Sequence, residues 1–272
     1  MAILTISREI GTEGLEIGKR IAKELGYDIF DKTRALEELR AEGSRWGEVI
    51  DRLDGHAPSL WQKYDWHYMG YVALAQNHVL NCALSGKVVI VGRGANFLLE
   101  GVPYALRARL VAPMQVRLRR VTREDGCSDF VCISTEASRE LLEKVDRESD
   151  NLVKAAFGRD GRDPKDYDIT LNMEGVGVEE TVETLKGMLA RREAYRDPRA
   201  EDQLRRKALA ARVKVAIFTN PAFSVPTLEV HIVGEEILLK GVVHNAKEHQ
   251  LIEEEAKKAA GPVPVKCELR YR

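Results

Sequence analysis

The chain lacks any apolar run approaching the ~20 residues that a membrane-spanning helix requires, so no membrane span is expected. It also lacks an excess of charge of either sign: 42 Lys and Arg stand against 43 Asp and Glu over 272 residues. Without such a field, the composition argues against nucleic acid as a partner. Cysteine is sparse, with four residues: Cys82, Cys127, Cys132 and Cys267. None forms a CxxC pair, and Cys127 and Cys132 have no companion His or Cys close by in the sequence. Free thiols in a reducing compartment and no metal centre are therefore expected. The opening Ala2-Ile3-Leu4-Thr5-Ile6-Ser7 alternates like a strand and has neither a basic n-region nor a small-residue cleavage site. No signal peptide is read there, and the expected location is cytoplasmic.

What is present is core-building material. Hydrophobic residues make up 44% of the chain and charged residues 31%, enough for one large domain or two ordinary ones. Residues 3–8 read as a buried strand, Gly11 and Gly14 as a turn, and 15–25 as a helix with Ile17, Ile21, Ala22 and Leu25 on one face, ended by Gly26. Further strands are expected at 27–30, 87–91, 105–112 and 167–171, with helices at 33–42, 66–84, 114–124, 135–157 and 178–195. Residues 43–60 show no clear period and read as loop or weak helix. The basic cluster Arg117, Arg119, Arg120 and Arg123 reads as a solvated helix face. Strands alternating with helices predict an α/β fold, a parallel sheet covered on both faces.

Asp197-Pro198-Arg199 is a charged break, and the pattern changes beyond it. A helix over 203–217, a hairpin turning at Gly234, a helix over 246–260 and an alternating strand from Val265 to Tyr271 follow. The expected organisation is one domain at 1–197 and a small α+β domain at 204–272 in the order αββαβ.

The strand, glycine turn and helix at the N-terminus would present backbone N–H groups and a positive helix end to an anion. The standard phosphate loop, GxxxxGK[ST], is absent. Gly18-Lys19-Arg20 does not supply it, because the glycine spacing is wrong and Arg20 stands at the hydroxyl position. From the residues alone, 8–15 are either a phosphate loop or a structural strand–helix turn.

The stretch Ile6-Ser7-Arg8-Glu9-Ile10-Gly11-Thr12-Glu13-Gly14-Leu15-Glu16-Ile17 resembles the ISREYGSGGREI opening of the cytidylate kinase-like family. The likeness continues at Tyr27-Asp28-Ile29-Phe30-Asp31, at Val89-Ile90-Val91-Gly92-Arg93-Gly94-Ala95, at Lys144-Val145-Asp146, and at Asp163-Pro164 with Tyr167-Asp168 and Leu171-Asn172. These are P-loop proteins related to nucleoside-monophosphate kinases. The resemblance implies that Gly11, Thr12, Glu13, Gly14, Leu15 and Glu16 cradle the phosphates of ATP, with Arg8 inside that loop and Mg²⁺ as the metal. It implies an acceptor-site role for Asp31 and a contact of Arg93 with the acceptor phosphate. Asp31 reads equally well as a helix cap.

Two positions depart from the family. Glu13 replaces a glycine, and Ser149 stands where the lid motif KVDxxR carries arginine. Arg147, Arg159 or Arg162 are candidate substitutes, with Arg147 taken as the catalytic one. The leading expectation is an ATP-dependent phosphotransferase acting on a nucleoside monophosphate or similar acceptor. The alternative is a catalytically silent nucleotide sensor, and a pure interaction scaffold is the third reading.

Residues 204–272 resemble a BON domain, the small αββαβ module of bacterial envelope and stress proteins. The resemblance rests on Leu228-Glu229-Val230, Gly234, Leu238 to Val243 and Gly261. It implies a protein or phospholipid partner. Eight Lys and Arg against eight Asp and Glu over 213–272 make attraction to anionic lipid weak. His231, His244 and His249 show no metal spacing on one element.

Overall fold

The computed structural model describes residues 1–53, 64–92, 94–122 and 135–272. In chain order, β1 (Ile3–Arg8) leads into α1 (Gly14–Leu25), β2 (Asp28–Phe30), α2 (Lys32–Ala41) and α3 (Ser44–Leu53). Then come α4 (Trp66–Ser85), β3 (Val88–Val91), the single-turn α5 (Ala95–Leu98), β4 (Ala105–Val111) and α6 (Met114–Val121). The first unit ends with α7 (Thr135–Phe157), β5 (Ile169–Asn172) and α8 (Val178–Arg192).

Among the described residues, five strands form one sheet in the order β2-β3-β1-β4-β5, and every pairing is parallel. Burial on both faces explains why β3 is an uninterrupted apolar run and why the first four residues of β1 are all buried, Thr5 included. On one face Leu4, Ile6, Val89 and Val91 pack with Ile17 and Ile21 of α1 and Val182, Leu185 and Leu189 of α8. On the other, Ile3, Val88 and Ile90 pack with Val79, Leu80 and Ala83 of α4. Gly18 lets α1 sit close on the sheet, since a Cβ there would lie 2.8 Å from Val91 Cγ2.

The expected parallel α/β sheet is present. One local reading changes: α3 is a helix, its Trp46 and Val49 buried with Leu39 of α2 and Leu74 of α4. Trp46, Val49, Ile50 and Leu53 stand at helical spacing, but over only two turns.

At Asp197-Pro198 one helix ends and another begins. Asp197 accepts a hydrogen bond from Ala200 N at 2.7 Å, and Pro198 opens the helix α9 (Pro198–Phe218). This is the usual placement of proline in a first turn, where its missing N–H costs nothing. The N-terminal half of α9 (Leu204, Ala208, Ala211) joins the first sheet's core, and its C-terminal half (Val213, Ile217, Phe218) joins the core of the C-terminal module.

That module adds β6 (Glu229–Val233), β7 (Glu236–Val243), α10 (Ala246–Ala260) and β8 (Val265–Tyr271). Strands β6 and β7 form an antiparallel hairpin, and β8 lies parallel to β7. The αββαβ order matches the expectation. No helix among the described residues is long and apolar enough to cross a membrane.

Candidate active site at the C-terminal edge of the sheet

Strand β1 delivers the loop Glu9–Glu13 to the carboxyl edge of the sheet, where open α/β folds bind ligands. Gly11 has φ 84°, and a Cβ on it would lie 3.0 Å from Arg117 Cβ and 3.2 Å from Arg117 Cα, so backbone and neighbour both demand glycine. Thr12 is fully buried and its hydroxyl donates to the Glu9 carbonyl at 2.6 Å, which fixes the loop from within. Glu13 sits just before α1 in the left-handed region, φ 58°, and its side chain caps no helix amide. The first-turn N–H groups of Gly14, Leu15 and Glu16 have no intrahelical acceptor, as in every helix, and stand at the positive end of α1.

Arg8 folds against this turn. A Cβ on Gly14 would lie 2.9 Å from Arg8 Cβ, and a Cβ on Gly92 would lie 3.3 Å from Arg8 Nη1. The guanidinium therefore reaches from β1 to the end of β3.

Arg119 of the basic helix α6 is exposed, as expected, but Arg117 and Arg120 are not part of a solvated face. Arg117 is 4% exposed, binds both carboxylate oxygens of Asp146 at 3.1 and 2.8 Å, and lies 3.8 Å from Glu9. Arg120 donates to Met173 O at 2.7 Å and to Gly11 O at 3.5 Å, and pairs with Glu13 at 3.5 Å. These arginines bind the loop and α7 because they lie where loop carbonyls and carboxylates would otherwise be buried without partners. Arg123 lies outside the described residues.

Under the roof formed by α7 lies a cleft of about 380 Å³. Its floor holds Ser7, Arg8, Glu9, Arg109 and Tyr167; Tyr68, Tyr71 and Val72 of α4 form one wall, and Val145, Asp146, Ser149 and Val153 of α7 the roof. Arg109 is nearly buried; it donates to Gly161 O at 2.8 Å, stacks over the Tyr167 ring at 5.5 Å and lies 3.7 Å from Glu9. Tyr167 donates to the same carbonyl at 2.7 Å. Two buried polar atoms in the wall, Tyr68 Oη and Asn96 Nδ2, find no hydrogen-bond partner among the described residues. Burial pushes the Tyr68 phenol up to about 12, so it is a neutral donor at physiological pH.

Of the residues singled out from sequence, Arg8 lines the cleft, and Ile10 leads from its wall into the rim built by Gly11, Thr12, Glu13, Gly14, Leu15 and Glu16. Asp31 caps α2, accepting from Arg34 N at 3.0 Å, beside Lys32 in the wall. Arg93 lies outside the described residues, while its neighbours Gly92 and Gly94 both line the cleft. Arg147 is 68% exposed, 4.0 Å from Glu143, and lines no part of the cleft. Arg159 is paired with Glu100 and Asp166 outside that lining, whereas Arg162 is in the wall and pairs with Asp150 at 2.6 Å. The pair with Asp150 raises the Arg162 pKa further.

Sequence reasoning missed Arg109 and the Arg117–Asp146 pair. The signal for Arg109 was available: Arg107 and Arg109 interrupt an otherwise apolar strand, and a charge inside a buried strand needs a partner.

The sequence pattern of the cytidylate kinase-like family matches residues 3–175. The chain belongs to the cytidylate kinase-like family. It is similar to a cytidylate kinase of Ignicoccus hospitalis, at 26% identity over 190 residues, which covers 70% of this chain and 99% of the relative. A solved structure of an uncharacterized protein from Eubacterium ventriosum has the same fold, with a TM-score of 0.54 and 17% identity over 70% of this chain and 99% of that one. As a member of the cytidylate kinase-like family, the chain is a nucleotide kinase-like phosphotransferase. The matched span stops before the C-terminal module.

The residues present fit a nucleotide's phosphates better than they fit its metal. The amides of Gly14 to Glu16 and the Arg8 guanidinium suit an anion. For a divalent ion, Leu15 supplies no hydroxyl and Thr12 is occupied within the loop, which leaves the exposed carboxylates of Glu13 and Glu16 as side-chain oxygens.

Proposed function

We propose that the chain transfers phosphate from ATP to a nucleoside monophosphate or a similar small phosphorylated acceptor. The observation that carries this reading is the joint arrangement at one sheet edge: the α1 N-terminus with Arg8 on the rim, and beside it a roofed cleft with buried, unsatisfied donors. The rim would hold the donor phosphates on the amides of Gly11 to Glu16, and Mg²⁺ would meet Glu13 or Glu16. The cleft would hold the acceptor, with Tyr68 and Asn96 supplying hydrogen bonds and Arg93 contacting its phosphate. Asp31 would act beside Lys32 at the acceptor end. Bound Mg²⁺ would supply charge neutralisation; the protein's part is positioning and electrostatic stabilisation, as phosphoryl transfer requires.

The ion pair between Glu13 and Arg120 favours a second reading, a catalytically silent nucleotide sensor. A carboxylate held in the phosphate loop opposes phosphate binding, and Ser149 leaves the lid without its arginine. In that reading the C-terminal module, by its BON-like pattern, reports the bound state to a protein or phospholipid partner. Boundaries at 1–197 and 204–272 accompany this division of labour.

A coupled ADP-release assay with ATP, Mg²⁺ and a panel of nucleoside monophosphates separates the two. Turnover on one acceptor supports the enzyme. Nucleotide binding by calorimetry with no ADP release supports the sensor. No nucleotide binding at millimolar concentration removes both.

A further inference from the structure

In the C-terminal module, three side chains of different donor chemistry converge between α10 and β8. His249 and Glu253 are one turn apart on α10 and so share a face. Cys267 lies on β8. One donor atom from each residue lies within 4.8 Å of the other two, and His249 Nε2 is 3.8 Å from Glu253 Oε2. Donors of a tetrahedral site with bonds of ~2.0–2.3 Å stand ~3.5 Å apart, a spacing these side chains reach by small rotations.

The residues around the cluster orient it. Tyr271, four positions beyond Cys267 on β8 and so on the same face of the strand, places its hydroxyl 2.9 Å from His249 Nδ1. With Nδ1 engaged, Nε2 is the nitrogen left facing Glu253. Lys257 holds the other oxygen of that carboxylate, Oε1, at 2.6 Å. Cys267 is a free, half-buried thiol. An imidazole fixed through its second nitrogen and a carboxylate fixed through its second oxygen are what surround metal ligands in proteins.

We propose that His249 Nε2, Glu253 Oε2 and Cys267 Sγ form a binding site for one zinc ion. The mixed nitrogen, oxygen and sulfur set suits Zn²⁺ and disfavours Mg²⁺ and Ca²⁺, which take oxygen ligands. As the Zn–S bond forms, the Cys267 thiol proton leaves to solvent. Thiolate and carboxylate then balance the two charges of the ion, and water takes the fourth position. The ion ties the C-terminal strand to α10. A single-element search for metal spacing fails here because the third ligand comes from the next strand.

The test uses the full chain carrying Cys127→Ala and Cys132→Ala, which leaves the buried Cys82 as the one other thiol, after treatment with a chelator. Titration with Co²⁺ alone should give one ion per chain and a thiolate-to-cobalt charge-transfer band, which Zn²⁺ then abolishes because it binds more tightly. Cys267→Ser should eliminate the band while circular dichroism confirms the fold. Tyr271→Phe should keep the band but weaken affinity by about 10-fold. Saturating Zn²⁺ should raise the thermal midpoint of the parent and leave that of Cys267→Ser unchanged. A missing band, a band that survives Cys267→Ser, or a midpoint insensitive to Zn²⁺ overturns the site.

Discussion

The guanidinium of Arg117 grips both carboxylate oxygens of Asp146, at 3.1 and 2.8 Å, and so ties the helix beneath the phosphate loop to the helix that roofs the cleft. Arg117 is nearly buried, with Glu9 as its second carboxylate at 3.8 Å. Removing one partner of a buried pair strands the other charge, which typically costs 3–5 kcal/mol. With Glu9 still near, Asp146→Ala should cost about 3 kcal/mol in urea unfolding. Arg117→Met keeps the volume and strands the Asp146 and Glu9 carboxylates, but these are 17% and 23% exposed against 5% for the guanidinium, so it should cost less. If the two variants lose the same amount, the stranded charge is not the cause.

Glu13 tests the phosphate loop without testing the fold. Its left-handed backbone stores about 1 kcal/mol that glycine would release, against at most about 1 kcal/mol from the half-exposed pair with Arg120. Glu13→Gly should therefore change stability by less than about 1 kcal/mol. Its effect on ATP should be larger than its effect on stability suggests. A carboxylate ~5 Å from phosphate repels it by roughly 3 kcal/mol at an effective dielectric near 20, reduced by Arg120 and by salt. The variant should bind ATP about fivefold more tightly in calorimetry without Mg²⁺. Weaker binding confined to limiting Mg²⁺ would instead make Glu13 a ligand of the metal.

The lid offers a contrast between Arg147, taken as the catalytic arginine from sequence, and Arg162. Arg162 lines the cleft and Arg147 does not. Loss of a transition-state donor typically lowers kcat by about 100- to 1,000-fold. Arg162→Ala should show a loss of about 100-fold in the ADP-release assay, with Arg147→Ala within about twofold of the parent. Ser149→Arg, which puts a guanidinium into the roof, should restore part of the Arg162→Ala loss. The opposite ranking of the two alanine variants would remove Arg162 from the site.

The fold was legible because its signals are local and redundant. Buried parallel strands read as apolar runs, and Gly26, Gly234 and Gly261 mark ends and turns by needing a positive φ. Helix α3 read only as loop or weak helix, because the helical spacing of Trp46, Val49, Ile50 and Leu53 spans just two turns. The site was legible only where the backbone sets it, as at Gly11, where strand, loop and helix follow one another in sequence. Arg109 and Arg117 were not, because their partners Gly161 and Asp146 lie 52 and 29 residues away. A cluster of arginines looks the same in sequence whether water or carboxylates surround it.

Cys82 allows the core against α4 to be probed by pH. Burial pushes its thiol up to about 11 from an ordinary value of 9.0, with Arg34 opposing and Asp28 and Glu38 reinforcing. The unfolded chain releases this proton first, so between pH 9 and pH 11 the folded state holds more protons than the unfolded one. The stabilising contribution is complete below pH 9 and is lost as pH rises towards 11, with a slope of at most about 1.4 kcal/mol per pH unit. Cys82→Ala lacks the thiol and should not show this component. Near pH 7.5 it should be less stable than the parent by about 1 kcal/mol, the cost of a small cavity. Urea unfolding of both proteins from pH 7.5 to 10.5 should show that gap narrowing as pH rises. A gap that stays constant across the range would mean that Cys82 titrates alike in the folded and unfolded chains.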